Sequence, residues 1–117
     1  MIIVTTNEIR KMEVREIRGP VYGTAIRSRN LFGLIFSIIR SLFGGSQTGF
    51  IKMTNRTRDE AIEALKDHAE SLGCNAVLAM RFDTSEIMGK MTEIVAYGTG
   101  VILENNIGYE INRPEKN

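Results

Sequence analysis

The amino-acid sequence predicts an α+β fold, an antiparallel β-sheet with two helices packed on it, and three observations carry the prediction. A charged amphipathic run ends at Gly73 and passes at once into the apolar stretch Ala76–Thr84. Ile94–Leu103 is a second strand-like stretch, joined to the first across a loop that includes Gly89, so the pair reads as an antiparallel hairpin. Leu31–Phe43 is apolar at nearly every position between Asn30, a good helix cap, and the stop Gly44-Gly45.

Composition sets the outer limits. A chain of 117 residues, 43% hydrophobic and 25% charged, suits one ordinary globular domain and excludes wholesale disorder. Fifteen basic residues against fourteen acidic ones leave +1, which is far from the balance of a nucleic-acid binder. Cys74 is the single cysteine, so no internal disulfide forms. The opening residues lack the basic region and long apolar core of a signal peptide, and a cytoplasmic location is the expectation. The sequon Asn55-Arg56-Thr57 is then a coincidence of a common tripeptide.

Taken in order, Ile2–Thr5 is short and β-branched and predicts a first strand. Val14–Ile26 alternates but is interrupted by Gly19-Pro20 and Gly23, which predicts a bent or bulged strand, or two short ones, near a sheet edge. The Leu31–Phe43 helix carries one narrow stripe of Gly33, Ser37, Arg40, Ser41 and Gly44 on an otherwise apolar cylinder. It is too short to cross a bilayer, for which about 20 residues are needed. Its apolar surface must therefore be covered by its own sheet and by neighbouring copies. The alternative, a helix lying in a membrane surface, lacks the lysine-rich polar face such helices carry, since Arg40 stands alone.

Ser46–Met53 reads as a connector with Phe50-Ile51 extended. Thr57-Arg58-Asp59-Glu60 has the form of a capping box opening the second helix. Ala61, Ile62, Leu65, Ala69 and Leu72 make its apolar face, and Gly73 supplies the left-handed stop. If the hairpin turns about Gly89, one sheet face holds Leu78, Met80 and Phe82 with Ala96, Gly98, Gly100 and Ile102, and its small residues let a helix lie close. The other holds Val77, Ala79, Arg81 and Asp83 with Glu93, Val95, Tyr97, Thr99 and Val101. Beyond Glu104 the chain turns polar, so residues 1–104 form the domain and 105–117 a surface extension.

Few residues can carry chemistry. Heavy-metal binding needs several converging soft donors, and one chain offers only Cys74 and His68, six residues apart across a helix end. Neighbouring copies could gather one Cys74 each, but a lone cysteine is more often a small buried hydrophobe, and His68 on the polar helix side is more often solvated. The six methionines read as core filler. Gly98-Thr99-Gly100 lies inside a strand and lacks the helix and lysine of a phosphate loop, and one histidine without an orienting partner makes no triad. The remaining polar group is Arg81, Asp83, Glu93 and Tyr97 on the outer sheet face. Either these residues line an interface pocket, the arginine fixing an anion and the carboxylates a hard cation, or Arg81 and Asp83 form a cross-strand ion-pair network setting register between subunits. The second, structural reading is favoured.

Several stretches together resemble the YbjQ-like family, an uncharacterised group often labelled heavy-metal-binding. They are Gly19-Pro20-Val21-Tyr22-Gly23, Arg29-Asn30, Gly44-Gly45, Arg58 with Glu60-Ala61, Gly73 with Asn75-Ala76-Val77, Arg81-Phe82-Asp83-Thr84-Ser85 and Ala96-Tyr97-Gly98-Thr99. The resemblance implies a dodecin-like subunit assembled as a homo-oligomeric ring, a pentamer, with no established activity. The chain departs from the family pattern near Phe32-Gly33, at Ser46 and at Phe50, where charge or hydroxyl is lost. The expectation is a non-enzymatic homo-oligomer holding a heavy metal or small ligand at subunit interfaces, without nucleic-acid or membrane partners. An enzyme built on Arg81, Asp83, Glu93 and Tyr97 has the least support.

Overall fold

The computed structural model of the chain describes residues 1–28, 37, 38, 41, 48–88 and 91–105. Strands β1 (Ile2–Ile3), β2 (Met12–Ser28), β3 (Ala76–Ile87) and β4 (Met91–Asn105) form one sheet in the order β1-β3-β4-β2, and helix α1 (Thr48–Ser71) packs chiefly on β2. The α+β class is as the sequence predicts. The predicted first helix, Leu31–Phe43, lies outside the described residues apart from Ser37, Ile38 and Ser41, so α1 is the one helix described at length.

The sheet is mixed rather than wholly antiparallel, because β1 runs parallel to β3 with Ile2 beside Ala76 and Ile3 beside Val77. The reason lies in the edges. β1 and β2 occupy opposite edges, so the chain between them must cross the sheet, and it crosses the face that α1 leaves open. Its path is fixed by Val4 N–H to Val77 O (3.0 Å), Met80 N–H to Val4 O (2.9 Å) and Ala79 N–H to Thr6 O (2.8 Å). On the way Ile2, Val4, Ile9 and Met12 cover Ala76, Leu78, Val101 and Leu103, which make a small second core.

The main core lies under the helix, where Ala61, Leu65 and Ala69 meet Val21, Ala25, Val77, Met80, Ile94 and Ala96. A Cβ added to Gly23 would fall on the helix backbone at Leu65 N and Ala61 O, so the closest helix–sheet approach needs glycine there. α1 begins nine residues before the predicted start. Thr57 is no cap; it is buried mid-helix in the four-residue series Thr57, Ala61, Leu65, Ala69, and Phe50-Ile51 has helical rather than extended backbone. The predicted stop holds. Gly73, at φ 78°, closes a Schellman motif in which Cys74 N–H reaches Ala69 O (3.0 Å) and Gly73 N–H reaches Glu70 O (3.0 Å).

β3 and β4 pair antiparallel from Ile87 beside Met91, the hairpin pairing expected, while Gly89 itself lies outside the described residues. The predicted faces hold from Ile87 down to Arg81 and then break. Ala79, at φ 55°, and Met80 together oppose Gly98 in a β-bulge, which shifts parity by one. Leu78 therefore belongs to the second core and Val77 to the helix side, the reverse of their predicted places. A Cβ on Gly98 would lie 2.7 Å from Val77 Cγ1 and 2.8 Å from Leu78 O, so the bulge leaves no room for a side chain opposite it. β2 is the bulged edge strand predicted, with Arg15 and Arg18 as the extra residues at its two register shifts.

Candidate functional site

The sheet register puts Arg81 and Asp83 of β3, with Tyr97 and Glu93 of β4, on the face opposite α1. Arg81 stands directly beside Tyr97, Asp83 beside Val95, and Glu93 beside Ser85. Tyr97 also stands directly beside Tyr22 of β2, so an arginine and two tyrosines form one row across three strands. Both tyrosines are exposed.

The three charged groups have local anchors. Arg81 Nη1 donates to Thr5 O (2.7 Å) and Met80 O (2.9 Å), tying the crossing N-terminal segment to the bulge. Asp83 Oδ1 accepts from Thr84 N–H (3.0 Å) and Glu93 Oε1 from Ser85 Oγ–H (3.3 Å). Arg81 and Asp83 thus do not pair with each other within the chain. Ion pairs form elsewhere, between Arg27 and Glu60, which joins β2 to α1, and between Arg18 and Glu16 along the edge.

Two residues join this group that the sequence did not put there. Tyr22 was legible only as a strand residue. His68 reaches from α1 to the outer edge of β2, where its Nδ1 accepts the Tyr22 N–H at 3.1 Å and its ring meets the Tyr22 ring edge-on with centroids 4.6 Å apart. An Nδ1 that accepts leaves the imidazole proton on Nε2. Asn75 was also missed as a structural residue. Its amide copies a strand backbone, donating to Leu103 O (2.9 Å) and accepting from Leu103 N–H (2.8 Å) just below the end of β3. The only sequence signal was an asparagine placed between the helix stop and an apolar strand.

Cys74 is buried against Val21 and Ala69, under Gly100, where an added Cβ would come within 2.7 Å of Sγ. Burial pushes the thiol up from its ordinary value, and the Arg18 guanidinium offsets part of that rise. Soft-metal binding requires a thiolate and further donors. Here the thiol is held protonated, His68 Nδ1 is already occupied, and no three His, Cys, Asp or Glu side chains among the described residues are grouped to hold an ion. The described residues do not fit a heavy-metal centre within one chain.

A four-stranded mixed sheet with a helix on one face and a mixed aromatic and charged row on the other defines a small α+β domain. Residues 1–104 match the model of the YbjQ family, described as "Putative heavy-metal-binding", and the chain belongs to that family. It is 55% identical over 108 residues to a UPF0145 protein of Acidiphilium cryptum, covering 89% of this chain and 95% of that one. A UPF0145 protein of Thermoplasma volcanium is 48% identical over 105 residues, with 90% and 86% covered. The fold is similar to the crystal structure of a protein of unknown function of the DUF74 family from Pediococcus pentosaceus, with a TM-score of 0.58 at 19% identity, covering 89% of this chain and 98% of that one. No described helix is long and apolar enough to cross a membrane, and the membrane-surface alternative, which rests on residues 31–43, gains no support.

Proposed function

We propose that the chain is a non-enzymatic subunit of a homo-oligomeric ring of five that takes a small ligand at its subunit interfaces. One observation carries the reading. The two bulges of β2 convert a two-residue alternation into steps of three, so Val14, Ile17, Tyr22 and Ile26 all fall on the face that α1 leaves open. Their exposures are 44%, 67%, 58% and 46%, an apolar line along an edge strand of a kind that soluble chains ordinarily cover. Strand addition along that edge is disfavoured by the bulges, by Arg15 and Arg18, and by His68 on the Tyr22 amide. Assembly through the face rather than the edge follows. A metal gathered from one Cys74 per subunit is the weaker form of this proposal, because it requires a buried thiol to open.

Size-exclusion chromatography with light scattering tests it. A 13.1 kDa chain forming a pentamer gives a mass of about 65 kDa, whereas a stable species of 13.1 kDa at micromolar concentration overturns the proposal.

A further inference from the structure

The row draws one residue from each of four elements, with Tyr22 of β2, Tyr97 of β4 and Arg81 of β3 on the open face and His68 of α1 at its outer edge. Directly opposed strand residues stand about 5 Å apart, so Tyr22 to Arg81 spans roughly 10 Å, with His68 one ring further out. Cross-strand tyrosine pairs do stabilise sheets, and that accounts for Tyr22 beside Tyr97. It does not account for the two ends. At one end Arg81 is pinned through Nη1 to two carbonyls, while among the described residues its Nε and Nη2 donors have no hydrogen-bond partner and no carboxylate forms an ion pair with it. At the other, His68 fixes Tyr22 through its backbone and keeps Nε2–H as a donor.

We propose that this row binds a nucleoside monophosphate, its planar base stacked on the tyrosines and its phosphate on Arg81. A pre-positioned guanidinium presents paired donors to phosphate oxygens with little side-chain freedom left to lose. Exposed aromatic side chains on adjacent strands are the platform on which bases stack. Asp83, two residues along β3, and Glu93, four along β4, place negative charge further up the same face, so the phosphate is directed to Arg81 and away from them. The ligand would share Tyr22 with the assembly surface, so the inference rests on and deepens the interface-ligand reading, yet affinity and subunit count are separate measurements.

Calorimetric titration of the full chain with AMP, GMP, CMP and UMP tests the proposal, with adenosine and inorganic phosphate as the two half-ligands. Expected is saturable binding of at least one nucleotide, with each half-ligand about tenfold weaker or more. Tyr97→Ser, which leaves the Arg81 tether intact, weakens the nucleotide about tenfold or more without changing the light-scattering mass, and Arg81→Lys gives an intermediate loss. Absence of binding by all four nucleotides to folded protein overturns the proposal, as does phosphate binding as tightly as the nucleotide, or an affinity indifferent to Tyr97→Ser. A ring that binds no nucleotide sinks this inference alone, and a monomer that binds one sinks the assembly reading alone.

Discussion

At the scale of single residues, Asn75 and Cys74 occupy adjacent positions and do opposite things with their polar atoms. Asn75 satisfies both the N–H and the C=O of Leu103, at 2.8 and 2.9 Å, and so extends the β3–β4 ladder past the end of β3 with a side chain. Leucine there would be close in size yet would orphan two backbone groups in a partly buried setting. Asn75→Leu should cost about 2 to 4 kcal/mol, read as a lower denaturation midpoint at unchanged m-value, whereas a loss under about 0.5 kcal/mol would mean water replaces the amide. Cys74 hides its thiol, and burial, only partly offset by Arg18, holds the native pKa above the ordinary 9.0. Well below 9.0 both folded and unfolded chains keep the proton and the thiol contributes no slope. As pH rises through 9.0 the unfolded chain ionises first, so stability falls until the native thiol ionises as well. Urea unfolding on both sides of pH 9.0 should show a decline that is steeper in the parent chain than in Cys74→Ala. Parallel declines would mean that the thiol is exposed in solution.

At the scale of elements, the join between α1 and β2 depends on Gly23. Its α-carbon faces the helix backbone at Ala61 and Leu65, so an alanine there cannot be absorbed by a rotamer change and the helix itself must move. Gly23→Ala should destabilise by about 3 kcal/mol or more. Gly73→Ala, which strains one positive-φ residue but meets nothing closer than 3.9 Å, should cost about 1 kcal/mol. Chemical denaturation of the two variants checks the order, and equal losses would mean that the helix sits farther from β2. The same elements mark how far the sequence could be read. The Gly73 stop was legible because it is local glycine chemistry, and the β3–β4 hairpin because two strand-like runs face each other across a short connection. Reading parity outward from that connection placed Arg81, Asp83, Glu93 and Tyr97 on one face correctly. It failed below Ala79, because an alanine at φ 55° announces no bulge, and Leu78 and Val77 changed sides. Thr57 misled because Thr-x-x-Glu is written the same way for a cap and for a buried threonine in a four-residue helical series. The parallel pairing of β1 and the contact between Tyr22 and His68, 46 positions apart, are long-range and left no local mark.

At the scale of the whole molecule, the chain has two sheet faces and covers them unequally. α1 covers one face over the stretch from Val21 to Ala25, and the crossing N-terminal segment covers the base of the other, from Ala76 to Leu103. The edge-strand line of Val14, Ile17, Tyr22 and Ile26 remains exposed. Within one chain Ile17 is an exposed residue, so Ile17→Lys should change the stability of the isolated fold by no more than about 0.5 kcal/mol. If the line is the seam between copies, the same substitution places a charge in an apolar interface, where leaving it unpaired costs several kcal/mol per contact. Each subunit of a closed ring carries the change, so the penalty recurs at every seam. Light scattering should then show Ile17→Lys shifted toward the 13.1 kDa monomer at concentrations where the parent chain is assembled. Its circular dichroism should stay native. An unchanged mass would move the seam off this face, and a lost native spectrum would mean that the subunit cannot fold without its neighbours.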